Sequence, residues 1–218
     1  MSTSKTAELT LTIFLSLDGV MQAPGQPTED PSGGFRHGGW LVPHFDGDMG
    51  AIMVDIFSKA SAFLLGRTTY DIFRGHWPKV TDPNDPIAAK LNTSPKFVAS
   101  RTRSEFSWND TSLVRDVVAE VAELKQHFTG EIQVHGSGGL ARTLINHDLI
   151  DEYRLLTFPV LLGGGKRLFD HYTTPAALNL TTSRTTSKGA VFNVYRRSGK
   201  LTTGDVVLKT DGTYEMVS

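Results

Sequence analysis

Apolar and polar positions alternate along this chain in a way that divides it into short strands and amphipathic helices. "LTLTIFLSL" (Leu9 to Leu17) alternates and then stops at Asp18 and Gly19, which predicts a buried strand. From Asp48 to Ala60, apolar Ile52, Met53, Ile56, Phe57 and Ala60 recur at helical spacing. "AFLL" then runs as a short strand to Gly66, and "RTTYDIF" starts a second helix. After the turn residues "TDPNDP", "KFVAS" (Lys96 to Ser100) is another strand. Val114, Val117, Val118, Val121 and Leu124 mark one face of a helix, introduced by the polar cluster at Asn109 to Ser112 and ended before Gly130. "EIQVHG" is a strand that feeds a glycine loop and a helix to about Asn146, and "EYRLLTFPV" is strand again. "LLGGGKRLF" sets a glycine triplet before a short turn of helix. Two hairpins complete the pattern, Leu178 to Tyr195 around Ser187 to Gly189, and Val206 to Val217 around Asp211 and Gly212, a dipeptide suited to tight hairpin turns.

Strands that alternate with helices require crossover connections, so the sheet should be largely parallel, with the hairpin strands as an antiparallel edge. The predicted organisation is one α/β domain over residues 1–200 and a C-terminal hairpin extension over 201–218. "MQAPGQPTEDPSGGFRHGGW" is long for a connection inside a compact domain, and it reads as a mobile active-site loop in preference to a disordered one.

Composition narrows the partners. With 39% apolar and 21% charged residues in 218, the chain can build one sizeable core. Lys plus Arg is 22 against 23 for Asp plus Glu, so no overall field favours nucleic acid or an anionic membrane, and a small molecule is the expected partner. The absence of cysteine excludes disulfide frameworks, thiolate zinc sites and a cysteine nucleophile. The seven histidines lack the spacing of a metal site, and no metal is expected. No apolar run reaches the ~18 residues of a spanning helix, and Leu9 to Leu17 lacks a signal cleavage site, so a soluble, cytoplasmic protein is the expectation. Exposed strand edges and the last hairpin are the features a homodimer would use.

Ligands of open α/β sheets sit beyond the carboxyl ends of the strands. Three such ends carry groups suited to anions. In "VHGSGGLARTL", Gly136, Gly138 and Ala141 fit the spacing that lets a pyrophosphate approach a helix amino end, although glycine loops of this kind also serve packing. "LLGRTTY" places Gly66 before a helix start bearing Arg67, Thr68 and Thr69, with N-capping by threonine as the simpler reading. "VASRT" offers Ser100 and Arg101, a hydroxyl and a guanidinium fit for a phosphate monoester. Together the three fit one dinucleotide phosphate. A nucleophile elbow fails because His135 stands where glycine is needed, and a Walker loop fails because Arg167 follows Lys166.

"LSLDG", "LLGRTTY" and "VHGSGGLARTL…LIDEYRLLTFPVLLGGGKRLF" together resemble the dihydrofolate reductase-like superfamily, and within it the RibD C-terminal-like reductase family, over about residues 8 to 198. The resemblance implies a three-layer fold on a mostly parallel sheet of about eight strands, bound NADPH, and hydride transfer to a small heterocyclic, ribosylamino-pyrimidine or pterin-like C=N substrate. Such a reaction is similar to that of the 5-amino-6-(5-phosphoribosylamino)uracil reductase of riboflavin biosynthesis. By position, Gly66, Arg67, Thr68 and Thr69 with Gly136, Ser137, Gly138, Gly139 and Leu140 would flank the pyrophosphate, and Ser100 and Arg101 the adenosine phosphate. Leu17, Asp18 and Gly19 would border the nicotinamide and substrate, and Trp40 the substrate. The acid that such reductases carry on the helix after the long loop aligns with Gly50, leaving Asp48 or Asp55 nearby. Asp18 and Asp48 are thus the expected proton-handling residues, with a turn role for Asp18, an N-cap role for Asp48 and a core role for Trp40 as the plainer readings. The missing acid also admits a nucleotide-binding or regulatory module of the same fold without turnover.

Overall fold

A computed structural model describes residues 6–103 and 105–217; residues 1–5, where the expected domain begins, lie outside it. Strands β1 (Glu8–Ser16), β2 (Ala60–Gly66), β3 (Lys96–Ala99), β4 (Thr111–Val114), β5 (Glu131–His135) and β6 (Glu152–Phe158) run parallel. Strands β7 (Ala177–Thr185) and β8 (Val191–Gly199) join them antiparallel, giving one eight-stranded sheet of order β4-β3-β2-β5-β1-β6-β8-β7. Helices α1 (Gly47–Ser58), α2 (Arg67–His76) and α3 (Pro86–Thr93) cover one face of it, and α4 (Val117–His127) and α5 (Gly138–Asn146) cover the other.

The two faces have separate cores. Leu9, Leu11, Ile13 and Leu15 of β1 pack with Val121 of α4 and Leu140, Leu144 and Ile145 of α5. Met49, Ile52, Met53, Ile56 and Phe57 of α1 pack with Tyr70, Leu91, Phe63, Leu65 and Phe158. Strand β2 feeds both, Ala62 and Leu64 to one side and Phe63 and Leu65 to the other, which is why it reads as an unbroken apolar run. The three layers and the antiparallel edge agree with the expected dihydrofolate reductase-like architecture. Strands β9 (Asp205–Leu208) and β10 (Tyr214–Val217) form a separate two-stranded sheet after the domain.

Two local expectations change. Val114 closes β4 instead of opening a helix; α4 starts at Val117 with the Asp116 carboxylate on the amides of Val118 and Ala119. A four-residue edge strand is too short to display alternation, so its polar start resembles a helix cap. The glycine triplet of Leu161 to Phe169 leads into no helix: Gly163 and Gly165 hold φ values of +74° and +125°, and the chain bridges instead from Arg167 to Val20.

The Met21 to Trp40 segment has a hydrogen-bond frame of its own. Met21 N donates to the Lys166 carbonyl at 2.8 Å, and Lys166 N donates to Gln22 Oε1 at 2.9 Å. Gln22 Nε2 donates to the carbonyls of Asp30 and Ser32, both at 2.9 Å, and Trp40 Nε1 donates to the Gln22 carbonyl at 2.8 Å. Buried Gln22 thus ties the middle and the far end of the loop to the Lys166 segment.

Candidate functional site

The sheet opens where β5 ends. Pairing of β1 with β5 stops at Thr12 and His135, whereas pairing with β6 continues to Ser16 and Phe158. The Thr12 carbonyl still accepts from Gly136 N at 3.5 Å. Backbone groups alternate sides along a strand, so the Phe14 amide and carbonyl face the same way as those of Thr12, into the space beyond β5. That space is a cleft of about 870 Å³ floored by Thr12, Ile13, Phe14 and His135 and walled by Met21 to Pro24 of the long loop. The remaining walls are the first turns of α2 and α5.

Those first turns differ from the others. Helices α1, α3 and α4 are capped by the carboxylates of Asp46, Asp85 and Asp116, which accept from their own first-turn amides. Helices α2 and α5 begin at Gly66 and Ser137 with no side-chain cap. Ser137 sits in the left-handed region at φ +61°, uncommon for a residue with a side chain, and its hydroxyl reaches across to Thr69 Oγ1 at 2.5 Å. Gly66 is required at this crossing, because a Cβ there would lie 2.4 Å from Ser137 Oγ. Two helix amino ends therefore meet with free amide donors and converging positive dipole ends, an arrangement that favours a shared anion.

Each residue that the sequence assigned to phosphate binding borders the cleft: Gly66, Arg67, Thr68, Thr69, Ser100, Arg101, Gly136, Ser137, Gly138, Gly139 and Leu140. The sequence pattern did not single out Arg115, whose Nη1 donates to the Ser100 carbonyl at 3.1 Å and brings a second guanidinium to the Arg101 end. Its place directly before the capping Asp116 was the available signal. A dinucleotide diphosphate fits this donor set, with hydroxyls and amides at the centre and guanidinium groups at the rim.

The groups assigned to the nicotinamide and substrate side are elsewhere. Leu17 is exposed and lies, with Gly19, in a tight turn in which Gly19 N donates to the Ser16 carbonyl; neither borders the cleft. Asp18 is a fastening point. It accepts from Ser16 Oγ at 2.7 Å, Leu162 N at 3.1 Å and Gly163 N at 2.9 Å, with Arg167 Nη2 at 3.3 Å. These bonds, that from Ser16 foremost, pull its carboxyl down to about 2, the wrong direction for a proton donor near neutrality. Asp48 is neither cap nor cleft residue. Asp46 caps α1, while Asp48 accepts from Ser187 N at 2.8 Å and from the Ser187 hydroxyl, so the two aspartates grip the β7–β8 turn. Asp55 pairs with Lys59 on the exposed side of α1. Trp40 is buried, its ring 5.6 Å edge-on from Phe158, and it belongs to the core.

Three acids that the sequence did not single out border the cleft: Asp116, which caps α4, Asp30, which pairs with Lys166, and Glu29. Glu29 lies among the loop residues that wall it, and Glu29 Oε2 accepts from Gly25 N at 2.7 Å and Gln26 N at 3.1 Å. Burial pushes its carboxyl above the ordinary range despite those two bonds. It stood in a stretch of Pro, Gly and acidic residues with no periodicity to set it apart.

Comparison with known proteins gives the same frame. Residues 7–192 match the family model of the RibD C-terminal domain. The chain is 30% identical over 198 residues to the uncharacterized protein YyaP of Bacillus subtilis, covering 89% of this chain and 97% of that protein. It is 31% identical over 144 residues to the uncharacterized protein YwjB of the same organism, covering 65% and 76%. In fold it is similar to a putative riboflavin biosynthesis protein from Shewanella (22% identity, TM-score 0.62, 88% of this chain and 99% of that one). It is likewise similar to a pyrimidine reductase-like protein from Corynebacterium diphtheriae (12% identity, TM-score 0.56, 88% and 92%).

Proposed function

Because this chain belongs to the RibD C-terminal domain family, we propose that it is an NADPH-dependent reductase of a small heterocyclic C=N substrate of the ribosylamino-pyrimidine or pterin kind. The observation that carries this reading is the meeting of the two uncapped amino ends at Gly66 and Ser137, with Arg101 and Arg115 at one rim of the same cleft. First-turn amides of α2 and α5 would hold the diphosphate, and Ser100, Arg101 and Arg115 the adenosine 2′-phosphate. The nicotinamide supplies the hydride when bound. The Phe14 amide and carbonyl, free beyond the end of β5, present one donor and one acceptor to a carboxamide. Glu29, on the cleft wall with its carboxyl pushed upward by burial, is the residue we assign as proton source.

A fluorescence titration with NADPH and NADH tests the cofactor. NADPH should bind the more tightly, and Arg101→Ala should weaken NADPH about tenfold while changing NADH little, the effect of losing one hydrogen-bonded charge pair. Failure of both nucleotides to bind at high micromolar concentration rejects the reading, and equal losses reject the phosphate role of Arg101. The engaged states of Asp18 and Asp48 favour a second reading, a nucleotide-binding module without turnover. Sustained NADPH oxidation with dihydrofolate, a pterin or a ribosylaminopyrimidine excludes it.

A further inference from the structure

His135, the last residue of β5, is the buried titratable group on the floor of the cleft. Its ring stacks on Phe57 of α1 at 4.4 Å between centroids and 13° between planes, and lies tilted against Phe63 at 5.9 Å. Both contacts fix the plane of the imidazole. Its protonation is fixed as well, by a chain of bonds that admits one solution. Gln133 Nε2 lies 2.6 Å from the Ile56 carbonyl and 2.8 Å from Glu131 Oε2, and both of those atoms can only accept. The Gln133 amide is thereby oriented with Oε1 toward His135, 3.0 Å from Nε2. Nε2 must therefore carry the hydrogen. Burial, reinforced by the Arg154 guanidinium, pushes the ring down to about 3, so it is neutral at physiological pH and Nδ1 holds a bare lone pair.

That lone pair has no hydrogen-bond partner among the described residues, and His135 lines the cleft. An acceptor in a cleft without a protein partner is a place for a donor of the ligand. The chemistry of that ligand follows from the acceptor. A neutral imidazole nitrogen repels phosphate and takes an N–H donor.

Resting on the reductase reading above, we propose that His135 Nδ1 is a specificity-determining acceptor for a ring N–H of the substrate heterocycle. The nicotinamide carboxamide is the competing donor, but the Phe14 backbone already presents the donor and acceptor pair that such a group needs.

The experiment uses the full chain and diaminouracil as probe, beside its ring N,N′-dimethyl derivative, which lacks the ring N–H groups. In protein saturated with NADP⁺, diaminouracil should move the ¹⁵N resonance of His135 Nδ1, and the dimethyl derivative should not. His135→Leu should bind diaminouracil about tenfold more weakly, the loss of one hydrogen bond left half-made, with NADP⁺ affinity within about twofold of the parent. An unmoved Nδ1 resonance, equal binding of the dimethyl derivative, or the same shift produced by NADP⁺ alone overturns the proposal. Should His135→Leu fail to fold, the resonance in the parent protein decides. Should NADP⁺ not bind at all, the reductase reading falls, and the same shift read without nucleotide still judges His135.

Discussion

The amino ends of α1 and α5 make a useful comparison, because the sequence offered chemistry at both. At α1, Asp46 and Asp48 spend their oxygens on the amides of Met49, Ser187 and Lys188. At α5, Ser137 turns away from its own helix to Thr69 and leaves the first-turn amides without a side-chain cap. A carboxylate cap satisfies donors and neutralises the positive end of the helix dipole, so little remains to attract a ligand. An open end keeps both. Here the place for a ligand is marked by polar groups without internal partners, and the conspicuous acids are structural.

The largest effect should come from closing the open end. Gly66→Ala sets a methyl against Ser137 Oγ and Cβ, 2.4 and 2.5 Å away, and forces α5 from α2. Overpacking of this kind costs up to about 3 kcal/mol, so NADPH affinity should fall on the order of 100-fold. Gly50→Ala is the matched change on α1, where the new methyl meets only Phe45 at 3.8 Å. It should stabilise the helix by about 0.5–1 kcal/mol and leave the nucleotide titration unchanged. If both variants bind NADPH like the parent, the contrast between the two helix starts carries no function.

Next is Asp18→Asn. The amide keeps one accepting oxygen, but its NH₂ must face an N–H of Leu162 or Gly163, so about 1–3 kcal/mol of stability should be lost. The pH dependence has a definite sign. A carboxyl held at about 2 in the folded protein against 3.8 contributes stability above the higher value and loses it as pH falls through the lower one. In denaturant melts the gap between parent and variant should hold above about pH 4 and close toward about pH 2. A gap that persists at the acid end would show that the carboxylate charge is not what fastens the Leu162–Gly163 loop.

Much of this was legible before any coordinates. Periodicity located β1, β2, β5 and β6 because each is buried and long enough to display its pattern, and the glycine and threonine positions at strand ends located the phosphate-directed groups. Edge strand β4 was hidden by its four-residue length. The substrate side was hidden for a different reason. Whether an aspartate is a proton donor or a fastening depends on what approaches it from 139 to 145 residues away, as Ser187 approaches Asp48 and Gly163 approaches Asp18. No local spacing encodes that. His135 and Glu29 escaped notice for the same reason, since the groups that bury them come from α1 and from a loop without periodicity.

The smallest expected effect is at Asp48. Its partner Ser187 sits in an exposed turn, where charge-assisted bonds are screened by water. Asp48→Asn should retain an acceptor for Ser187 N and lower stability by about 0.5–1 kcal/mol. Nothing in the cleft changes, so nucleotide affinity, turnover and the pH profile of turnover should match those of the parent. A turnover rate that fell more than about tenfold with the melt intact would mean that Asp48 leaves Ser187 to reach the substrate, at a cost in transition-state stabilisation above about 1.4 kcal/mol. That result would restore an acid to the start of α1 and erase the distinction between its closed amino end and the open one of α5.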